Sequence, residues 1–289
     1  MEEIEYEERI VVFIDILGFK TIVQESHKNT ELKDLIYETL IFLKKREIPT
    51  KWNLQLIEIE EDAQKRNLSS FEIDTKTLCT SFSDSIVISV KYNSKNINEI
   101  FSTLIANISF IGAKLITKGI LFRGGITTGK LFHSDDGIIF GEGLIQAYQL
   151  ETQAAIYPRI ILSKKIIKKL NYPLESKKNR YPYHQYIKRY TDGCVGLNQI
   201  IYFQVLQSWD KMSEKNLLNG LKKAKNTIIK GLDNNFENPN IFQKYIWLKK
   251  EYEDLIITNC EKPIFYNLTE NVSIKNIHYS YSEKINNRR

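Results

Sequence analysis

Two aspartates stand at the ends of apolar strands, where a carboxylate either does chemistry or needs a partner. Residues 10–14 are a β-branched and aromatic run with no polar side chain, the pattern of a strand buried on both faces. Asp15 follows at once, and a carboxylate at the edge of such a strand is unfavourable unless something pairs it. Asp84 repeats the arrangement within Ser83-Asp84-Ser85, which predicts a tight hairpin turn opening the apolar strand 86–90. Either aspartate alone also reads as a turn cap. Together they suggest a shared cation site, because ions such as magnesium are held by one or two carboxylates with phosphate oxygens completing the shell.

Arg123 is the third group of interest. It lies in an apolar stretch, residues 119–132, beside Gly124 and Gly125. Glycine inside a strand marks a bulge or a close backbone approach, and a guanidinium there would bind phosphate well. The alternative is a surface arginine on an edge strand. Gly18 breaks the first run where the backbone could approach a ligand. Asp135 and Asp136 fit a Ser-Asp-Asp-Gly turn better than a metal site.

These groups need a scaffold, and periodicity supplies one. Lys20 starts a short helix, and residues 30–46 predict a longer one. Residues 47–70 are polar and irregular and read as a mobile insertion. Residues 71–82 and 85–92 make a hairpin around Asp84. Residues 96–115 are the clearest helix, with Asn96 and Glu99 in a capping-box-like pattern and an apolar stripe from Ile97 to Leu115. The Arg123 strand, a helix over 141–155 and a strand over 159–162 follow. Basic and aromatic residues interleave over 163–189, which fits a solvated loop better than a nucleic-acid surface. Residues 200–206 predict the last strand. Two helices close the chain, over 213–230 with Gly231 at its end and from Asn238 to about residue 258. The expected fold class is α/β (α+β): a mostly antiparallel sheet flanked by helices, with a domain over 1–206 and a helical extension and tail over 207–289.

The 289 residues are 42% hydrophobic and 26% charged, with a net charge of +6. That mildly favours an anionic ligand and gives no argument for nucleic-acid binding. Three widely spaced cysteines make neither a disulfide framework nor a zinc motif, as expected of a reducing cytoplasm. The acidic start is neither a signal nor a transit peptide. No apolar run approaches a membrane span, so no membrane partner is expected.

The motifs resemble the class III nucleotidyl cyclase family. They are Asp15-Ile16-Leu17-Gly18-Phe19, Ser83-Asp84-Ser85-Ile86, Arg123-Gly124-Gly125-Ile126-Thr127-Thr128-Gly129, and a helix over 141–151 ending Leu150-Glu151. The likeness is closer to the pyrimidine cyclases of the Pycsar anti-phage system, through Asp192-Gly193-Cys194 and Tyr245-Ile246-Trp247-Leu248 as well. It spans roughly residues 9–256.

The resemblance implies that Asp15, Asp84 and the carbonyl of Ile16 hold two divalent cations, Mn2+ or Mg2+. One would activate the ribose 3′-hydroxyl and the other would clamp the triphosphate. It implies phosphate contacts from Gly18, Phe19, Lys20 and Arg123, a homodimer, and a cyclic nucleotide that activates a separate effector. The chain departs from the family pattern at Ile145 and Gln149, where a transition-state asparagine and arginine are usual. It also has Thr80 and Ile138 at the two base-reading positions. Adenine- and guanine-specific patterns are therefore both absent, which leaves an inactive cyclase fold or a cyclase for another base. Thr80 can donate or accept a hydrogen bond and suits either pyrimidine. UTP is favoured over CTP on family frequency.

Overall fold

The computed structural model describes residues 4–45, 77–172, 182–203 and 214–259; the expected insertion at 47–70 and the tail at 261–289 lie outside them. The chain begins with β1 (Glu7–Leu17), α1 (Phe19–Ser26) and α2 (Thr30–Lys45). A hairpin of β2 (Thr77–Phe82) and β3 (Ser85–Lys91) follows, then α3 (Ile97–Ile116), β4 (Leu121–His133) and β5 (Ile139–Phe140). Next come α4 (Glu142–Gln149), a π-helical turn (Leu150–Ala154), β6 (Arg159–Leu162), α5 (Lys164–Lys169), β7 (Lys188–Arg189) and β8 (Val195–Asn198). The chain ends in α6 (Glu214–Asn234) and α7 (Pro239–Asn259).

The sheet runs β2-β3-β1-β4-β6-β8-β7, with β5 paired to β4 outside that path. It is mostly antiparallel and flanked by helices, as the sequence pattern requires. Its centre is β1, whose Ile10, Val11 and Val12 are fully buried. The β1–β3 register places Arg9 opposite Lys91, Val11 opposite Ser89, Phe13 opposite Val87 and Asp15 opposite Ser85. Directly opposed residues of antiparallel strands share a face, and successive residues alternate. One face therefore carries Ile10, Val12, Ile14, Ile86, Ile88 and Val90, all apolar and buried. The other carries every polar group of the centre: Arg9, Asp15, Ser85 and Ser89, with Thr80 of β2 opposite Val87. On this second face Val11, Phe13 and Val87 pack with Leu131 of β4 and Ala147 of α4. The seam between α4 and β4 is made by glycines, since a Cβ on Gly129 would lie 3.1 Å from Gly143 Cα.

Two compact units divide the chain. The first joins residues up to Ile108 with Phe122–Leu197, and the second joins Ser109–Leu121 with the chain from Asn198 onward. Within the second unit, Thr227 of α6 donates to the Ile116 carbonyl at 2.6 Å and Gln199 to the carbonyls of Gly112 and Ile120. The end of α3 thus belongs with the C-terminal helices.

Three expectations are corrected. The last strand expected from Ile200 is not found over residues 200–203, because Val195–Asn198 is a strand and residues 201–203 are helical; residues 204–206 of that expectation lie outside the described residues. Gly231 does not end its helix, which runs on to Asn234; a Cβ there would lie 2.1 Å from the Tyr245 ring, so the glycine makes room for α7. Among the described residues, Ile97–Ile116 is long and apolar enough to cross a membrane by length and composition. It is mostly buried in the fold, as befits a core helix whose polar residues are interleaved. Of the aromatics in the basic stretch, Tyr183 and Tyr186 are buried core residues and are not presented to a partner.

Gly231→Ala tests the α6–α7 contact. Alanine in a helix interior ordinarily stabilises by about 1 kcal/mol over glycine. Here overpacking against Tyr245 reverses the sign, with an expected net loss of about 1–2 kcal/mol, read as a lower Tm; a raised Tm would contradict the packing.

Candidate functional site

A single backbone bond joins the chain segments that carry the two aspartates. Asp84 sits in the β2–β3 turn, where Ser83 has φ of 55°, and its carbonyl accepts from Ile16 N at 3.0 Å. The bond extends the β1–β3 ladder one step past the Asp15–Ser85 rung. Both residues are half-buried, Asp15 with its side chain 20% exposed.

Arg123 comes to this junction from β4. Its Nε lies 2.7 Å from Glu151 Oε1 and 3.5 Å from Asp15 Oδ2. Both are ion pairs by proximity rather than aligned hydrogen bonds. Glu151 is the nearer partner and its side chain is only 3% exposed, so it sets where the guanidinium sits. Neither Nη nitrogen donates a hydrogen bond among the described residues. The planar fork that binds phosphate in bidentate fashion is therefore not engaged by the described residues.

Glu151 reaches Arg123 because it continues the inner face of α4, four residues after the buried Ala147, and a π turn follows it. Ala155 N donates to Leu150 O at 2.9 Å, a five-residue step that makes the π turn. Such turns recur at functional sites. Gly125 makes the approach possible, since a Cβ there would lie 2.5 Å from the Ala147 carbonyl and 2.6 Å from Leu150 Cβ. The glycine beside Arg123 therefore admits a helix, and the helix brings the arginine's counterion.

Gly18 adopts φ of 72° immediately before α1, and no side chain caps that helix. The amides of Phe19 and Lys20 in its first turn have no intrahelical acceptor, and such a terminus favours an anion. Asp15 and Asp84, carried to one end of adjoining strands, are the carboxylates available to a divalent cation with phosphates. Among the described residues no group of three or more His, Cys, Asp or Glu side chains converges. A site of one or two carboxylates completed by substrate oxygens needs none, so the residues fit the expected cations.

The departures from the family pattern lie on the outside of α4. Ile145 is 57% exposed, and Gln149 is exposed beside Tyr148. Ile138 is also exposed. The Asp192-Gly193-Cys194 segment lies elsewhere, with Asp192 paired to the buried Arg159 and holding Cys194 N at 3.0 Å. Its place in the structure is that of a support for Arg159. Tyr245 and Leu248 pack in the helical pair, Tyr245 against Gly231 and Leu248 fully buried.

Thr80 has company that the sequence reading missed. Its Oγ1 is 2.8 Å from His133 Nε2, and His133 Nδ1 is 2.7 Å from Ser89 Oγ. Arg9 donates to Ser89 at 3.1 Å and pairs with Glu7 at 2.6 Å. Burial, with the Arg9 charge adding to it, pushes the His133 pKa down to about 4. Ser89 interrupts an otherwise apolar strand and Arg9 precedes an apolar run, and those were the available signals. Glu151 had a weaker one, a carboxylate on the inner side of a helix. A scan against protein-family models finds no match for the chain, and no curated protein matches it.

The His133 shift sets a pH dependence. The ring is neutral in the fold but protonates near its ordinary pKa of 6.5 when unfolded. Its contribution is fully present above about pH 6.5 and is lost as pH falls toward about 4. The total is on the order of 3 kcal/mol. In urea unfolding, His133→Gln should flatten the stability profile between those limits; an unchanged slope would show that His133 titrates normally.

Proposed function

We propose that the chain is a pyrimidine nucleotide cyclase that converts UTP to 3′,5′-cyclic UMP and pyrophosphate, a second messenger in anti-phage defence. Cytidylate cyclase, with cyclic CMP as product, is the alternative within the same reading. The supporting observation is the junction at which Ile16 N meets the Asp84 carbonyl, with Arg123 against Asp15. Asp15, Asp84 and the Ile16 carbonyl would hold two divalent cations, which when bound supply Lewis-acid activation of the 3′-hydroxyl and neutralise the triphosphate.

The chain's own groups orient the substrate. The Nη fork of Arg123 binds a phosphate, and the first amides of α1, at Phe19 and Lys20, face the β- and γ-phosphates. The 3′-oxygen bonds to the α-phosphorus and the bond to the bridging oxygen breaks. Pyrophosphate leaves with that electron pair and the hydroxyl proton passes to solvent. Assembly is a two-fold homodimer in which both copies contribute to each site, and a separate effector reads the product. The second reading is a nucleotide-binding protein without turnover. It is favoured by Ile145 and Gln149, which place no positive charge on the exposed face of α4.

Incubation with each of the four ribonucleoside triphosphates and Mn2+, with product identified by mass spectrometry, separates these readings. Cyclic UMP is expected; cyclic AMP or cyclic GMP as the main product defeats the pyrimidine reading. Asp15→Asn and Asp84→Asn should each lower turnover by about a thousandfold or more with the far-UV spectrum unchanged. Full activity in either removes the metal assignment.

Arg123→Ala should weaken triphosphate binding about tenfold to a hundredfold, the worth of a charge-assisted bidentate contact. It also leaves Glu151 without its counterion, so a lower Tm is expected too. A lower Tm with unchanged nucleotide affinity would make Arg123 purely structural.

A further inference from the structure

The chain of bonds behind Thr80 has a direction. Arg9 is a donor only, so Ser89 Oγ accepts from it. Ser89 is fully buried, and among the described residues its own hydrogen is directed to His133 Nδ1 at 2.7 Å. A buried hydroxyl that wasted this hydrogen would be strongly disfavoured. The ring is neutral at pH 7 and carries one N–H. With Nδ1 accepting, that hydrogen is on Nε2 and points at Thr80 Oγ1, 2.8 Å away. Thr80 passes its hydrogen to the Gly137 carbonyl at 3.3 Å. Its donor and one lone pair are now used, and a second lone pair remains.

Thr80 is half-buried and lies on the same sheet face as Asp15 and Arg9. Two strand spacings and two residues along the strand separate it from Asp15, about 12 Å by sheet geometry. We propose that His133 is a positioning residue that fixes the hydrogen-bond polarity of the base pocket. Held by Ser89 and Arg9, it makes Thr80 an acceptor only, so the recognised nucleobase presents an N–H there, the N3 imide of uracil or the 4-amino group of cytosine. The identity of the ligand as a nucleotide rests on the cyclase reading; the polarity rests on the bonds themselves. A free threonine would accept or donate and would discriminate poorly between the donor and acceptor edges of the two pyrimidines. The fixed one rejects a base that offers only a carbonyl or a bare ring nitrogen at that position, because two acceptors would then face each other in a half-buried site.

Two measurements on the full chain test this. The 15N spectrum of the His133 ring at pH 7 should show hydrogen on Nε2 and a bare Nδ1; the opposite tautomer or a doubly protonated ring overturns the proposal. Affinities for UTP and CTP are then measured with Ca2+, alongside analogues of the preferred base. Methylating its N–H (N3-methyl-UTP or N4,N4-dimethyl-CTP) should weaken binding about tenfold, the net worth of one hydrogen bond. The 5-methyl analogue, which keeps the N–H, should bind like its parent. His133→Phe should collapse the UTP-to-CTP preference, whereas His133→Gln, whose amide can also donate to Thr80 and accept from Ser89, should keep it. An N-methylated analogue that binds like its parent, or a preference unchanged in His133→Phe, overturns the proposal. If His133→Phe does not fold, the tautomer and the analogue series decide alone. N–H-dependent binding without cyclic product defeats the cyclase reading and leaves the polarity standing. Cyclisation of an N-methylated analogue at parent affinity does the reverse, and absence of any nucleotide binding defeats both.

Discussion

The bond from Ile16 N to the Asp84 carbonyl fixes the register on which the candidate site depends. In a β-ladder a slip of one residue moves every side chain to the opposite face. With Asp15 opposite Ser85, Arg9, Asp15, Ser89 and Thr80 all emerge on one side, and the isoleucines and valines on the other. A slip would bury Asp15 among Ile86 and Ile88 and expose the core. Hydrophobic burial thus enforces the register, and the register brings the two carboxylates to one end of adjoining strands. No stabilising contact between the carboxylates is required.

Asp15 is paired with Arg123, and Arg123 is itself held by Glu151. Removing one partner of a buried ion pair is strongly destabilising, because the other charge remains in a poorly solvated site. Glu151 is therefore best understood as the group that keeps a guanidinium close to Asp15 while its Nη fork is not engaged by the described residues. The His133 network acts in a similar way at the other end of the same face. Both are supporting layers whose members are more buried than the groups they hold, Glu151 and Ser89 most of all.

Periodicity made the scaffold legible: the apolar run of β1, the hairpin around Asp84, the stripe of α3 and the two terminal helices all follow from it. Asp15, Asp84 and Arg123 were legible as polar residues placed where a strand disfavours them. The supports were harder to read because their partners are distant in sequence. His133 meets Ser89 across 44 residues and Thr80 across 53, and no local pattern encodes such a meeting. Gly231 misled because a glycine near a helix end commonly terminates it. Here the constraint was tertiary, the ring of Tyr245. The strand expected from Ile200 failed over residues 200–203 for a related reason, since Ile200, Ile201 and Phe203 are apolar because they are buried and not because they alternate.

The π turn at Leu150–Ala154 acts as a phase shift in α4. One added residue advances an α-helix by about 100°, so side chains on either side of the turn follow different angular schedules. Ile145 and Gln149 face outward before it, while Glu151 holds the inner face of Gly143 and Ala147 as the turn begins. Removing a single residue between Ala147 and Glu151 would rotate Glu151 away from the guanidinium, although every ionisable group of the site would still be present. Spacing along the helix is consequently as much a determinant of the site's charge as the identity of its residues.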